Sequence, residues 1–328
     1  MACQASAQAG RKAWAHRPAP SAPPGRPTPR PRSPTLALTM PFAHLPALSR
    51  RAFTLSFAGA GLSVLRAQAP LEHWALLSDT HIPEDPANEY RGFRPVENLA
   101  KIIPQITAAN PEAALLCGDD ARLKGLPGDY AALKKLLAPL AARTPVAIAL
   151  GNHDDRKNFL AAFGPAPQGA QTVQNRHVLV LEGKAVRVIV LDSLILPDFT
   201  PGLLGRAQRE WLTRFLASSD DRPTLLFLHH TLGDNDGELL DAPRLFDILR
   251  PHRKVKAVFY GHSHVYRYDM WEHVHLVNLP AVGYNFRDSE PVGWVEARLG
   301  AQGGRFTLRA LAGNRERDGQ TVELAWRP

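Results

Sequence analysis

The chain has 328 residues, 45% of them hydrophobic, enough for one large or two ordinary domains with a substantial core. Its formal charge of +8 is concentrated: residues 1–69 carry nine Lys and Arg and no Asp or Glu, leaving 30 basic against 31 acidic residues in the remainder. The basic balance thus belongs to the N-terminal segment and gives no support to a nucleic-acid-binding face elsewhere. Two cysteines, Cys3 and Cys117, argue against a disulfide framework.

Residues 1–39 hold eight prolines and several arginines without hydrophobic periodicity, and read as a disordered extension. At Met40 the pattern changes. A short polar lead runs into Ser49-Arg50-Arg51-Ala52-Phe53, then a mildly apolar run from Phe53 to Leu65, then Ala67-Gln68-Ala69 with the small-x-small pattern of a cleavage site. Residues 40–69 resemble a twin-arginine export signal, which implies export to the periplasm or outside the cell, with the export machinery as a partner. The apolar run is about 13 residues, too short for a permanent membrane anchor. If Met40 is the true start, residues 1–39 are a mis-assigned upstream extension.

From His73 the sequence alternates between short apolar runs and helix-like segments. HWALLSD reads as a strand, RPVENLAKIIPQITAAN as a helix interrupted by Pro104, and EAALLCGD as a strand. GDYAALKKLLAPLAAR is a helix and PVAIAL a buried strand. HVLVLEG and AVRVIVLDS are two strands joined by a Gly-Lys turn, and RAQREWLTRFLASS is a helix with Trp211, Leu212, Phe215 and Leu216 on one face. TLLFLHH and VKAVFYGH are strands, followed by β-rich runs at WEHVHLVNL, GWVEARLG, RFTLRAL and TVELAW. Such alternation with a β-rich tail predicts an α/β domain with two sheets rather than a barrel.

Five of these strands end in metal-ligand residues: Asp79-Thr80-His81, Gly118-Asp119, Gly151-Asn152-His153-Asp154, His229-His230 and Gly261-His262-Ser263-His264. The carboxyl ends of strands are where open α/β sheets place a ligand crevice. Each motif alone is commonplace. Five in order are not, and their carboxylate, amide and imidazole donors suit Mn, Fe or Zn.

In that order, D-x-H, G-D, G-N-H-D, H and G-H-x-H resemble the calcineurin-like metallophosphoesterase superfamily, over roughly residues 73–300. The resemblance implies one domain over residues 70–328, a four-layer α/β/β/α sandwich of two mixed sheets flanked by helices, with two divalent or trivalent metal ions between the sheet edges. It implies that Asp79, His81 and His264 hold one metal, that Asn152, His229 and His262 hold the other, and that Asp119 bridges them. It further implies that His153 lies beside the metals without binding them. Two ions ~3.5–4 Å apart can clamp a phosphoryl group and acidify a bridging water for in-line attack. His153 would then assist the leaving group. Asp154 either orients that imidazole or, with Asp155, caps the following helix. His230 is aligned behind His229 as a residue that supports the ligands or faces substrate.

The implied activity is hydrolysis of phosphomonoesters or phosphodiesters, the substrate being a small phosphoester. Purple acid phosphatases of this superfamily carry a metal-bound tyrosine three residues after the G-D aspartate; Arg122 stands there, which disfavours that branch. The GNHDDR string resembles class III cyclic-nucleotide phosphodiesterases. Arg156 is a candidate phosphate contact, and Tyr284, Asn285, Phe286 and Arg287 are candidates for a substrate wall. A non-catalytic binding module is disfavoured because His153 and all seven ligand positions are intact.

Overall fold

A computed structural model describes residues 71–164 and 173–328. The Pro/Arg-rich extension at 1–39 and the export signal at 40–69 lie outside the described residues. In chain order the elements are β1 (Glu72–Leu77), α1 (Pro95–Ala109), β2 (Ala113–Cys117), α2 (Pro127–Ala141), β3 (Val146–Ala149), α3 (Arg156–Phe163), β4 (Leu179–Glu182), β5 (Arg187–Val190), α4 (Gly205–Ser218), β6 (Thr224–Phe227), α5 (Ala242–Leu249), β7 (Val255–Tyr260), β8 (Arg267–Trp271), β9 (Val274–Asn278), β10 (Pro291–Gly300), β11 (Gly303–Gly313) and β12 (Thr321–Ala325).

Among the described residues these strands form two six-stranded mixed sheets. One has the order β12-β11-β10-β1-β2-β3 and the other β4-β5-β6-β7-β9-β8. β1, β2 and β3 are parallel, as are β5, β6, β7 and β9, so the carboxyl ends of the ligand-bearing strands point the same way within each sheet.

The strands are apolar on both faces because both faces are covered. In β1, Trp74 and Leu76 face the space between the sheets, where they join Leu115, Val188, Phe227, Phe259 and Phe306. Ala75 and Leu77 face the opposite way and pack with Leu99, Ile102, Tyr130 and Leu133 of α1 and α2. On the second sheet, Ile189, Leu226 and Val258 pack with Trp211, Leu212 and Leu216 of α4 and with Leu245 and Leu249 of α5. The result is the α/β/β/α sandwich that the resemblance implies. Phe227 and Phe259 stack at 4.6 Å and 7° in its centre.

Three local expectations are revised. Pro104 does not interrupt α1, which runs continuously from Pro95 to Ala109. Proline removes the N–H that would bond the Ala100 carbonyl, but both residues are exposed, so water solvates that oxygen while Leu99, Ile102, Ile103 and Ile106 hold the buried face. WEHVHLVNL is not one run: Trp271 ends β8 and β9 begins at Val274, with Glu272 turning the chain at φ 49°. Helix α5 has no counterpart in the sequence reading, because APRLFDIL is only eight residues long and begins behind an ordinary loop.

Phe306 is fully buried between the sheets, 5.5 Å from the Phe259 ring. Phe306→Ala is expected to lower unfolding stability by about 3–5 kcal/mol through lost burial and the cavity left behind. Urea denaturation of the wild type and the variant reads this directly.

Candidate metal centre

The backbone at the strand ends is bent to aim side chains inward. Asp79, His81, Asp119, His262 and His264 all adopt positive φ, between 47° and 69°. Non-glycine residues pay roughly 1–3 kcal/mol each for such conformations and hold them where the surrounding structure over-determines them. Glycine then permits the close approach of the two sheets. A Cβ at Gly118 (φ 87°) would lie 2.7 Å from the Gly151 nitrogen and 2.8 Å from His229 Nδ1, and a Cβ at Gly261 would collide with Ser78 and Asp79.

The candidate ligands converge. His264 Nε2 is 3.2 Å from Asp79 Oδ1, and His81 Nε2 is 3.1 Å from His264 Nε2. Asp119 Oδ2 lies 3.2 Å from His229 Nε2 and 3.7 Å from His81 Nε2, placing this carboxylate between the two histidine groups. Asn152 Oδ1 is 2.9 Å from His262 Nδ1. Three overlapping sets of donors each fall within 4.8 Å: Asp79, His81 and His264; His81, Asp119 and His153; and Asp119, His229 and His262.

Backbone carbonyls fix which nitrogen each ring presents, since a carbonyl only accepts. His229 Nδ1 donates to the Cys117 carbonyl at 2.8 Å and His264 Nδ1 to that of Tyr284 at 2.6 Å. His262 is turned around: its Nε2 donates to the Gly237 carbonyl at 2.9 Å, which leaves Nδ1 for the site. These are the outer contacts that orient metal-binding imidazoles.

The donor set fits metal ions and little else. With Nδ1 of His264 on the Tyr284 carbonyl and Nδ1 of His81 3.4 Å from that of Arg122, the neutral rings turn Nε2 lone pairs toward each other at 3.1 Å, and bare His262 Nδ1 meets an amide oxygen at 2.9 Å. Such pairs repel unless a cation lies between them. His229 Nε2 is fully buried, with the Asp119 carboxylate at 3.2 Å as its nearest polar contact and no well-formed hydrogen bond. Burial holds the His81 imidazole down to about 3, so it is a neutral donor at physiological pH. Burial, with help from His229, likewise lowers His262 to about 4. His229 goes the other way. Burial alone would lower it, but Asp119 and Asp79 together outweigh that and push it up to about 9.

His153 is partly exposed, with 19% of its side chain accessible. Its Nδ1 donates to the Leu123 carbonyl at 2.8 Å, its backbone N–H bonds Asp119 Oδ1 at 2.8 Å, and Nε2 sits 3.9 Å from Asp119 Oδ2. The ring is therefore held beside the donors with Nε2 as its working atom.

Five residues offered by the sequence are engaged within the protein. Asp154 does not orient His153. Its carboxylate accepts from the backbone N–H groups of Asp120, Ala121 and Gly151 and from the Tyr130 hydroxyl, pinning two ligand loops together. Burial, and then Asp119, raises this carboxyl to about 6. Asp155 is the N-cap of α3, accepting from Asn158 N. Arg156 does not face a phosphate; its guanidinium makes a paired contact with buried Asp192 at 2.6 and 2.8 Å. Asn285 is buried with its amide on the Glu290 carbonyl at 2.7 Å. His230 is buried and bonds Ser193 Oγ and the Thr200 carbonyl, with its ring packed 4.9 Å from that of His262. Tyr284 stacks on His81 at 4.7 Å as a wall behind the ligand. Asp120 has no hydrogen-bond partner for either carboxyl oxygen among the described residues, and burial, then Asp154 and Asp119, raises it well above the ordinary range.

Other residues were invisible in the sequence. The carbonyls of Cys117, Leu123, Gly237 and Tyr284 orient four imidazoles, and a carbonyl carries no residue-type signal. Asp198, at φ 61°, donates its N–H to the Asn152 carbonyl at 2.7 Å and brings its carboxylate within 3.8 Å of His153 Nδ1.

Protonated His229 occupies a position that a metal would take, so loading metal at pH 7 is expected to release about one proton from this residue, with affinity strengthening as pH rises toward 9. Calorimetric titration with Mn²⁺ in buffers of different ionisation enthalpy counts that proton. The same group stabilises the metal-free fold fully below its ordinary value of 6.5, and this contribution is lost as pH rises through about 9. The Tm of chelator-treated protein should therefore fall across that window, and a flat or rising Tm would count against this assignment.

The model of the calcineurin-like phosphoesterase family matches residues 74–266, more than half of the chain. A probable cyclic nucleotide phosphodiesterase of Rhodococcus erythropolis is 32% identical over 254 residues, 74% of this chain and 82% of that protein. The glycerophosphodiester phosphodiesterase GpdQ of Enterobacter lignolyticus is 28% identical over 231 residues, 66% of this chain and 81% of that protein. Among solved structures, a dimetal phosphatase from Danio rerio superposes with a TM-score of 0.61 at 17% identity, covering 79% of this chain and all of that one. With the donor geometry and the matched residues in agreement, this chain belongs to the calcineurin-like phosphoesterase family and is a metal-dependent phosphoester hydrolase.

Proposed function

We propose that this protein is a phosphodiesterase for small soluble diesters, with cyclic nucleotides the favoured class, and that it works outside the cytoplasm. The observation that carries the reaction type is the convergence of Asp79, His81, Asp119, Asn152, His229, His262 and His264 beside an oriented His153. Diester preference is supported by relatives named as cyclic nucleotide and glycerophosphodiester phosphodiesterases. Export is supported by Ser49-Arg50-Arg51-Ala52-Phe53 and the apolar run that follows.

Asp79, His81 and His264 would hold one ion and Asn152, His229 and His262 the other, with Asp119 shared. Mn, Fe or Zn suits this oxygen and nitrogen set. Bound there, the ions would supply Lewis-acid polarisation of the phosphoryl group and stabilise its developing charge. Asn152 contributes a neutral oxygen, which leaves more of the positive charge available to substrate than another carboxylate would. His153 handles the proton. Because Nδ1–H is committed to the Leu123 carbonyl, only Nε2 is free to carry a proton to the leaving oxygen. Its backbone bond to Asp119 fixes where that proton is delivered.

With Mn²⁺ loaded, bis(p-nitrophenyl) phosphate and 3′,5′-cyclic AMP are expected to be hydrolysed faster than p-nitrophenyl phosphate. Asp119→Ala should abolish turnover and reduce bound metal to one ion or none. His153→Ala should keep both metals while kcat falls by ~10²–10⁴-fold; loss of metal instead would overturn the assigned role. Expression from Met40 in a host with twin-arginine export should yield protein outside the cytoplasm, and Arg50→Lys with Arg51→Lys should retain it inside. Retention of the unaltered chain in the cytoplasm would reject export.

A further inference from the structure

Seven of the ten large apolar side chains that stand exposed among the described residues lie on the loops following β1, β2, β5, β6 and β9, of which those after β1, β2 and β6 carry ligands. Scattered exposed apolar residues need no explanation, but a set gathered around one polar cleft marks a binding surface. Of its three aromatic members, Tyr90, Phe199 and Phe286, two touch the cluster beside the first metal position. The Phe286 ring lies over His264 at 4.2 Å and 26°, yet the residue is 46% exposed, so its uncovered face is the outer one. Tyr90, 40% exposed, meets Tyr284 edge-on at 4.7 Å, and Tyr284 in turn stacks on His81. The Arg122 guanidinium lies 5.1 Å from the Tyr90 ring and 5.7 Å from that of Tyr284, braced by Asn88 Oδ1 at 3.1 Å.

What the mouth offers an organic group is decided by the residues engaged elsewhere. A polyol needs hydrogen-bond donors and acceptors. Arg156 is committed to Asp192, Asn285 to the Glu290 carbonyl, and His230 to Ser193 and Thr200. Arg122 and the exposed Arg287 keep charge at the rim, and beside His264 stands an aromatic face, on which a planar group stacks through dispersion and quadrupole attraction.

We infer that Phe286 and Tyr90 form a stacking platform that selects phosphoesters whose organic group is planar and aromatic, nucleobases above all, over those bearing a polyol. The inference rests on the phosphodiesterase reading and names its substrate class. The platform acts on the organic group, while the metal donors hold the phosphate.

Calorimetric titration of Mn²⁺-loaded protein with 5′-AMP and with glycerol 3-phosphate separates the two contributions, because both ligands present the same phosphomonoester. The wild type should bind 5′-AMP the more tightly. Phe286→Ala and Tyr90→Ala should each reduce the preference by about tenfold or more, and Phe286→Trp should preserve it. Equal affinities in the wild type, or a ratio unmoved by both alanine variants, would overturn the inference. Metal lost from Phe286→Ala would do so as well, making the ring a prop for His264. So would binding to phosphatidylglycerol vesicles that Phe286→Ala abolishes while the ratio stands. Hydrolysis of bis(p-nitrophenyl) phosphate keeps the two readings apart: diester turnover without the binding ratio rejects the platform alone, and the ratio without diester turnover rejects the phosphodiesterase reading.

Discussion

Lone pairs facing lone pairs at about 3 Å are the constraint around which this structure is organised. His81 against His264, and His262 against Asn152, are arrangements that a folded chain gains nothing from by itself. Positive charge makes them favourable, and the two carboxylates Asp79 and Asp119 lie among them to balance it. In metal-free protein Asp119 and Asp79 outweigh burial and push the His229 imidazole upward, so that a proton there balances part of their charge, while burial pushes His81 and His262 down. The centre is thus a site whose internal repulsions are resolved by a cation.

Holding such a centre requires rigidity in the surrounding chain. Five ligand residues sit in the left-handed region of backbone space, and the glycines beside them allow contacts that a Cβ would forbid. The restoring forces come from outside the ligand set. Asp154 ties three backbone N–H groups and Tyr130 into one knot, so that the loops after β2 and β3 move as a unit. The Cys117 carbonyl, at the end of a strand in the first sheet, orients His229 at the end of a strand in the second. That bond joins the sheets where the donors must meet, and Phe259 of one sheet packs on Phe306 of the other. Strain of this kind is carried by the cooperative packing of the sandwich rather than by any single contact.

The division of labour around the cleft follows from the same economy of polar groups. Buried polar side chains must be paired, and the fold spends Arg156, Asn285 and His230 on pairing within the protein. The surface left for the organic part of a substrate carries the exposed rings of Phe286 and Tyr90, with Arg122 against Tyr90, and the exposed side chain of Leu123, whose carbonyl holds His153. Phosphate recognition and organic-group recognition are thereby separated, one carried by the charged centre and the other by its rim.

The sequence by itself determined the class of fold and the chemistry. Apolar runs alternating with helical segments specified two covered sheets, since only strands buried on both faces are written that way. Five polar motifs at strand ends marked the candidate cleft, and their order, through its resemblance to the calcineurin-like phosphoesterases, implied which residues converge. Tertiary structure alone decided the tasks of Asp154, Arg156, His230 and Asn285. Each is a polar side chain whose type suits catalysis, substrate contact or internal pairing equally well, and the choice depends on which backbone group or carboxylate lies 3 Å away across the fold. It also decided the imidazole orientations, set by carbonyls that every residue possesses. Proximity between distant segments is a property of the packed chain, and residue identity does not encode it locally.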